Sequence, residues 1–162
     1  NVPVEMAETR YGIRVDEYSL HTDGAGAGEY RGGSGCVRTY RSMNDNQSFT
    51  ASFGRNKWPV WGAAGGKDGS CNYFQFHDAD GNVSEPMGIV ARRVMNKNDV
   101  VRMVTATGGG YGDPMKRDPA KVAMDVKNEY ITLEQAKADY GVIVDPESFD
   151  VVGLTPEREA AK

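Results

Sequence analysis

Thr107-Gly108-Gly109-Gly110-Tyr111-Gly112-Asp113-Pro114 is the stretch on which the architecture turns. Four glycines in five positions are costly to order, because each must be frozen from a wide backbone range. Such a run marks a place where backbone passes close to something. Gly24-Ala25-Gly26-Ala27-Gly28 has the same character upstream. Both runs are either flexible loops or extended segments packed backbone to backbone, where side chains would not fit. Tyr111 and the abrupt Asp113-Pro114 favour the packed version, since a loose linker needs no such punctuation and these residues would anchor the chain by hydrogen bonds.

On the N-terminal side of this stretch the composition favours strands. Leu20, Leu133 and Leu154 are the only leucines, while valines and aromatics are abundant. Short strand-like runs fall at 13–20, 36–41, 48–53, 72–77, 89–91 and 100–106. The second alternates best, with Val37, Thr39 and Arg41 on one face and Cys36, Arg38 and Tyr40 on the other. Asp78-Ala79-Asp80-Gly81 supplies hairpin-turn chemistry, and Asn96-Lys97-Asn98-Asp99 a polar turn. Short strands punctuated this way predict a β-sandwich or small barrel.

On the C-terminal side the pattern becomes helical. Asp118 is placed to cap a helix with Pro119 at its first position, and Val122, Ala123 and Val126 share a face. Thr132 and Gln135 have capping-box spacing, Leu133, Ala136 and Tyr140 follow, and Gly141 stops the second helix. Each helix is too short to stand without tertiary packing. The expected fold is therefore mainly β, with Gly-rich extended segments and a C-terminal two-helix hairpin. Its expected parts are a β-rich domain over 1–114, a helical hairpin docked on it over 115–145, and a polar tail over 146–162. Within that tail, 156–162 is expected as frayed helix or disorder.

A chain of 162 residues makes one domain, or one domain plus an appendage. It carries no apolar run of about 18 residues and no charged-then-apolar leader, so a soluble cytoplasmic protein without membrane contact is expected. The net charge is −4 with signs interspersed, which argues against a nucleic-acid partner. Cys36 and Cys71 lack Cys-x-x-Cys spacing and fit reduced core thiols. The first residue is Asn1 rather than Met, in keeping with a piece of a longer polypeptide.

Candidate chemistry is sparse. Gly108-Gly109-Gly110-Tyr111-Gly112 lacks the Lys and Ser/Thr of a phosphate-binding loop and misses Gly-x-Gly-x-x-Gly spacing. Gly65-Gly66-Lys67-Asp68 sets an acidic residue beside its Lys. Ser34 has Gly32 before it but Cys36 after it, so it is no nucleophile elbow; Gly32-Gly33-Ser34-Gly35 reads as a bulge or close-packed crossing. His21 and His77 lie near Asp23, Asp78 and Asp80, but the second group has the composition of an ordinary turn and only part of a calcium-loop pattern. Trp58 and Trp61, with Arg55 and Lys57 close by, form either a contact surface or the plug at one end of a barrel.

Order and spacing of several motifs then converge. Asn1-Val2-Pro3-Val4-Glu5, Gly26-Ala27-Gly28-Glu29-Tyr30-Arg31-Gly32-Gly33, Trp61-Gly62 with Gly65-Gly66, the Gly108–Gly112 run, Asp118-Pro119, Asp125-Val126 and Tyr140-Gly141-Val142 span most of the chain. Together they resemble the C-terminal region of the B-type subunit of hydantoinases and 5-oxoprolinases, a family that also includes acetone and acetophenone carboxylase subunits. The resemblance implies a structural and interface domain of an ATP-dependent hydrolase of cyclic amides such as hydantoins, 5-oxoproline or lactams. ATP would be used by a partner A-type subunit to phosphorylate the substrate carbonyl oxygen. A divalent metal in the upstream part of the B-type subunit would lower the pKa of the attacking water. No cofactor, metal ligand or catalytic residue is carried over onto this chain. Its partners would be the upstream part of the same subunit and the A-type subunit. Trp58, Trp61, Gly108, Gly109, Gly110, Tyr111, Gly112 and Asp113 are the candidate interface or cavity-lining residues. The same resemblance admits a piece of a ketone carboxylase, and the residues alone admit a free-standing β-rich binding module.

Overall fold

The computed structural model describes residues 2–160. Asn1, which opens the first motif, and Ala161 and Lys162, at the end of the expected tail, lie outside the described residues. Backbone contacts group the chain along other lines than the consecutive ranges 1–114, 115–145 and 146–162. One compact unit is Asn1–His21, Cys36–Trp58 and Cys71–Ala106; the other is Thr22–Gly35, Pro59–Ser70 and Thr107–Lys162.

The first unit is a two-layer β-structure behind a short helix, α1 (Val4–Tyr11). Strands β1 (Ile13–His21), β2 (Gly35–Ser42), β6 (Val100–Val104) and β4 (Tyr73–His77) form a sheet in the order β1-β2-β6-β4. β6 pairs antiparallel with both neighbours, setting Thr39 opposite Arg102 and Gln75 opposite Arg102. Strands β3 (Gln47–Ser52) and β5 (Ile89–Met95) make a separate antiparallel pair, with a bulge between Phe49 and Ala51. The bulge is where Arg92 takes a left-handed φ of 49° and its N–H is donated to the Thr50 hydroxyl.

Because strand residues alternate, Phe74, Phe76 and Val101 leave the sheet on one face, and Phe49, Val90 and Met95 meet them from the β3–β5 layer. Phe53 stacks on Phe74 at 4.3 Å, and Phe49 stands edge-on to Phe74 and Phe76. These ring contacts add about 0.5–1.5 kcal/mol each beyond area burial. The opposite face carries Thr39, Arg41, Gln75, His77 and Arg102 toward one end and the buried Val37 and Val104 toward the other.

The second unit joins Gly-rich segments to a small helical core. Asp113 caps a single 3-10 turn at Pro114–Lys116 by accepting from Met115 N–H. Asp118 caps α2 (Pro119–Lys127) through Ala120 N–H, with Pro119 at the first helical position. The Thr132–Gln135 capping box is formed in full at the start of α3 (Leu133–Tyr140), and Gly141 ends it at φ 61°. α2, α3 and β7 (Val142–Val144) bury Val122, Ala123, Val126, Ala136, Tyr140 and Val142 together. The segment expected as a polar tail contains β8 (Val151–Leu154), paired with β7, and α4 (Pro156–Ala160). Among the described residues no helix is long and apolar enough to cross a membrane.

Candidate functional site

In the second unit three stretches of chain, 24–33, 60–70 and 107–113, run beside one another and bond through their backbones. Gly108 accepts from Gly26 N–H, and Tyr30 and Tyr111 exchange both of their backbone bonds. Gly110 N–H donates to Lys67 O, Ala63 N–H donates to Gly110 O, and Gly112 N–H donates to Ala63 O. Lys67 N–H donates to Ala27 O, so each stretch touches the other two.

This closeness explains the glycines. A β-carbon on Gly26, Gly32, Gly66 or Gly110 would lie nearer a neighbouring backbone atom than the 3.0 Å that real β-carbons keep. Those neighbours are Lys67 O, Gly108 O, Gly110 O and Ala27 O respectively, and backbone does not swing aside as a side chain would. Gly109 faces Trp61 O in the same way. The crowded axis of a collagen triple helix excludes side chains for the same reason. Along this run Thr107, Gly110 and Gly112 are buried.

Thr107 is the polar knot of the bundle. Its hydroxyl, in a residue 1% exposed, donates to Gly24 O at 2.7 Å and accepts from Ser70 N–H at 3.0 Å. Its own N–H donates to the Ser70 hydroxyl. One threonine thereby ties all three stretches together. It stands at the head of the Gly-rich run, but its role needed the distant Gly24 and Ser70, which no local pattern announces.

A second set of side chains fastens the bundle to the helices. Arg117 donates to Glu29 O and to Asp125 Oδ2, and Arg31 donates to Gly32 O and to the same carboxylate oxygen. Arg31 also lies over the Tyr130 ring. Arg158 of α4, 4% exposed, donates to the carbonyls of Tyr140 and Arg117. Burial pushes the Arg158 guanidinium down and the Tyr140 phenol up from their ordinary values, because both charged forms lose water. Arg117 Nε and Tyr140 Oη are buried without a hydrogen-bond partner. This joint between bundle and helices is invisible to sequence reasoning, because its members lie far apart in the chain.

The candidate residues divide between the two units. Trp58 falls in the first and Trp61 in the second. At 78% and 68% exposed, neither indole plugs a core, which removes the barrel-end alternative. Tyr111 packs its exposed ring near that of Tyr30, with centroids 6.2 Å apart, while its backbone does the anchoring. Gly108, Gly110 and Gly112 are inner members of the bundle, and Asp113 is the cap described above.

The geometry limits the chemistry. The N–H groups of Gly108, Gly110, Tyr111 and Gly112 are already given to Gly33, Lys67, Tyr30 and Ala63 carbonyls, so this run offers no cradle of free donors to a phosphate. Among the described residues no group of three or more His, Cys, Asp or Glu is arranged to hold a metal ion. Asp78 spends its carboxylate within its own turn, on Asn82 and Asp80. Hydrogen bonds, chiefly from the Asn82 side chain, hold that carboxyl below its usual range. The glycines of the second unit's run are consumed by backbone packing.

Comparison with known proteins gives the family. The family model described as hydantoinase B/oxoprolinase matches residues 1–114, and the chain belongs to that family. It is 34% identical over 93% of its length to the B chain of a putative D-/L-hydantoinase from Pseudomonas sp. (strain NS671), covering 26% of that protein. It is 30% identical over 88% of its length to the beta chain of the caprolactamase of Pseudomonas jessenii, covering 25% of it. The crystal structure of the ATP-dependent caprolactamase from Pseudomonas jessenii superimposes with a TM-score of 0.78 at 29% identity, over 97% of this chain and 27% of that one. A nucleotide-free acetone carboxylase shares the fold, with a TM-score of 0.79 at 20% identity over 99% of this chain and 25% of the other. The chain thus spans about a quarter of the length of the curated relatives it matches. Those relatives are named as subunits, so their assemblies contain more than one kind of chain.

Proposed function

We propose that this chain is the C-terminal structural and interface domain of the B-type subunit of an ATP-dependent cyclic amide hydrolase. The observation that carries the proposal is its identity, 34% and 30%, to subunits named for hydantoinase and caprolactamase, whose names denote ring amides. A ketone carboxylase is the second reading, favoured by the acetone carboxylase fold match. The superpositions are nearly equal, 0.78 against 0.79, so the identity decides: 29% to the caprolactamase against 20% to the carboxylase.

In this role the chain's own residues bind and orient rather than react. The Gly-rich bundle fixes backbone positions, and exposed Trp61, Tyr30 and Tyr111 offer a firm aromatic surface to the remainder of the subunit or to an A-type partner. ATP would be held by the A-type subunit and a divalent metal by the upstream part of the B-type subunit, while the N–H groups of the Gly-rich run are spent on backbone carbonyls. A cytoplasmic location suits the two free thiols, Cys36 and Cys71.

The test is reconstitution. The full-length subunit carrying this chain, mixed with its A-type partner and ATP, should open a hydantoin or lactam ring, while the 162-residue chain alone should turn over neither ATP nor amide. ATP turnover by the chain alone would overturn this division of labour. Carboxylation of acetone by the complex, without ring opening, would establish the second reading.

A further inference from the structure

Helix α1 is ordered in a way its own contacts do not explain. It has eight residues, none of them buried, and no side-chain cap at its start. Isolated helices shorter than about 12–15 residues are marginal in water, and most helical stability in proteins comes from packing an apolar face. Its hydrogen-bond ties, Glu8 accepting from Val15 N–H on strand β1 and Tyr11 O accepting from the Gln47 side chain, are small. Yet the helix and the residues just before it present Val2, Val4 and Met6 to solvent, with Met6 45% exposed, and Val2 and Val4 line one groove. Single exposed apolar side chains need no explanation, but a contiguous patch marks an interaction surface.

The shape of the first unit supports this. An open groove of about 240 Å³ lies between α1 and the sheet, lined by Val4, Ala7, Val15 and Tyr18. Another of about 400 Å³, lined by Ile13, Phe49, Met95 and Val101, shares Tyr40 with it. The two form an apolar trough beside the unburied helix.

We propose that this trough and the outer face of α1 are an intrachain docking surface, covered by an apolar segment from the remaining length of a B-type subunit. The proposal rests on the function proposed above. Its occupant is chosen because the relatives are about four times as long as this chain, which covers 26% and 25% of them. A segment already tethered to the chain also avoids the translational and rotational cost that a separate partner must meet.

Peroxide oxidation of Met6, followed by peptide mass spectrometry, tests this in the full-length subunit. At dilutions where the subunit is monomeric, Met6 should oxidise about tenfold more slowly in the native state than in denaturant, as local protection requires. Val4→Asp should restore fast oxidation, because it sets a charge in the covered face. Native oxidation as fast as in denaturant overturns the proposal. So does protection that begins only when the subunit dimerises, which makes a second copy the occupant, or only when the A-type subunit is added. If the natural polypeptide proves no longer than this chain, the proposed function falls as well; a long polypeptide with a reactive Met6 removes the docking surface alone.

Discussion

Gly110 and Gly33 lie in the same unit and face opposite circumstances. A β-carbon on Gly110 would press into Ala27 O, whereas one on Gly33 would meet nothing within 4 Å. Gly110→Ala should therefore destabilise by about 1–3 kcal/mol, the usual cost of overpacking, while Gly33→Ala should be neutral or gain up to about 1 kcal/mol by restricting the unfolded chain. Urea unfolding of the two variants measures the difference. Thr107→Val keeps the shape but strands Gly24 O and Ser70 N–H, a loss of about 1–3 kcal/mol, which Thr107→Ser should largely recover. Glycine crowding was legible in the Gly108–Gly112 run because so many costly residues needed a reason. The role of Thr107 was not, because its partners are 83 and 37 residues away.

Elements with a local signal were legible in the sequence, and those without were not. Alternation and turn residues located β1 to β4 and β6 to within two residues but only the first three residues of β5, whose bulge at Arg92 breaks the alternation, and caps located α2 and α3. Helix α1 escaped because Pro3 makes no capping bond and the helix buries nothing. Strands β7 and β8 escaped because three and four residues are too few to show a period. Pairing partners were also out of reach: β5 and β6 flank a tight turn yet belong to different sheets. Strand β1 makes stability depend on acid. Burial alone would raise the Asp16 carboxyl, but hydrogen bonds and charge from Arg14 and Arg41 outweigh it and hold the group low. Glu17 is held low chiefly by the Ser19 hydroxyl, helped by Thr39 and Arg102. With both groups depressed, the folded state binds fewer protons in acid than the unfolded one. Their contribution is complete above the unfolded values near about pH 4 and is lost as pH falls through the lower folded ones. Asp16→Asn should accordingly lose less stability than the parent between about pH 6 and about pH 3 in urea titrations.

On the scale of the whole molecule, the chain comprises a glycine bundle, a two-layer β-unit and a short helical core, and among the described residues no group of three or more His, Cys, Asp or Glu is arranged to hold a metal ion. The family resemblance was readable from motif order, whereas the joint formed by Arg31, Arg117, Asp125 and Arg158 exists only once the chain has folded. Asp125→Ala would leave two half-buried guanidiniums without their shared carboxylate, though each keeps a carbonyl partner, at a cost of about 1–3 kcal/mol, seen as a lowered thermal midpoint. The scaffold role itself is tested most directly by placing Gly110→Val in the full-length subunit and measuring thermal stability, assembly with the A-type subunit and steady-state kinetics together. A lowered midpoint and poor assembly, with an unchanged KM in whatever complex forms, is the predicted result. Normal stability and assembly with a raised KM would contradict it, because the Gly-rich run would then be touching substrate instead of holding the protein together.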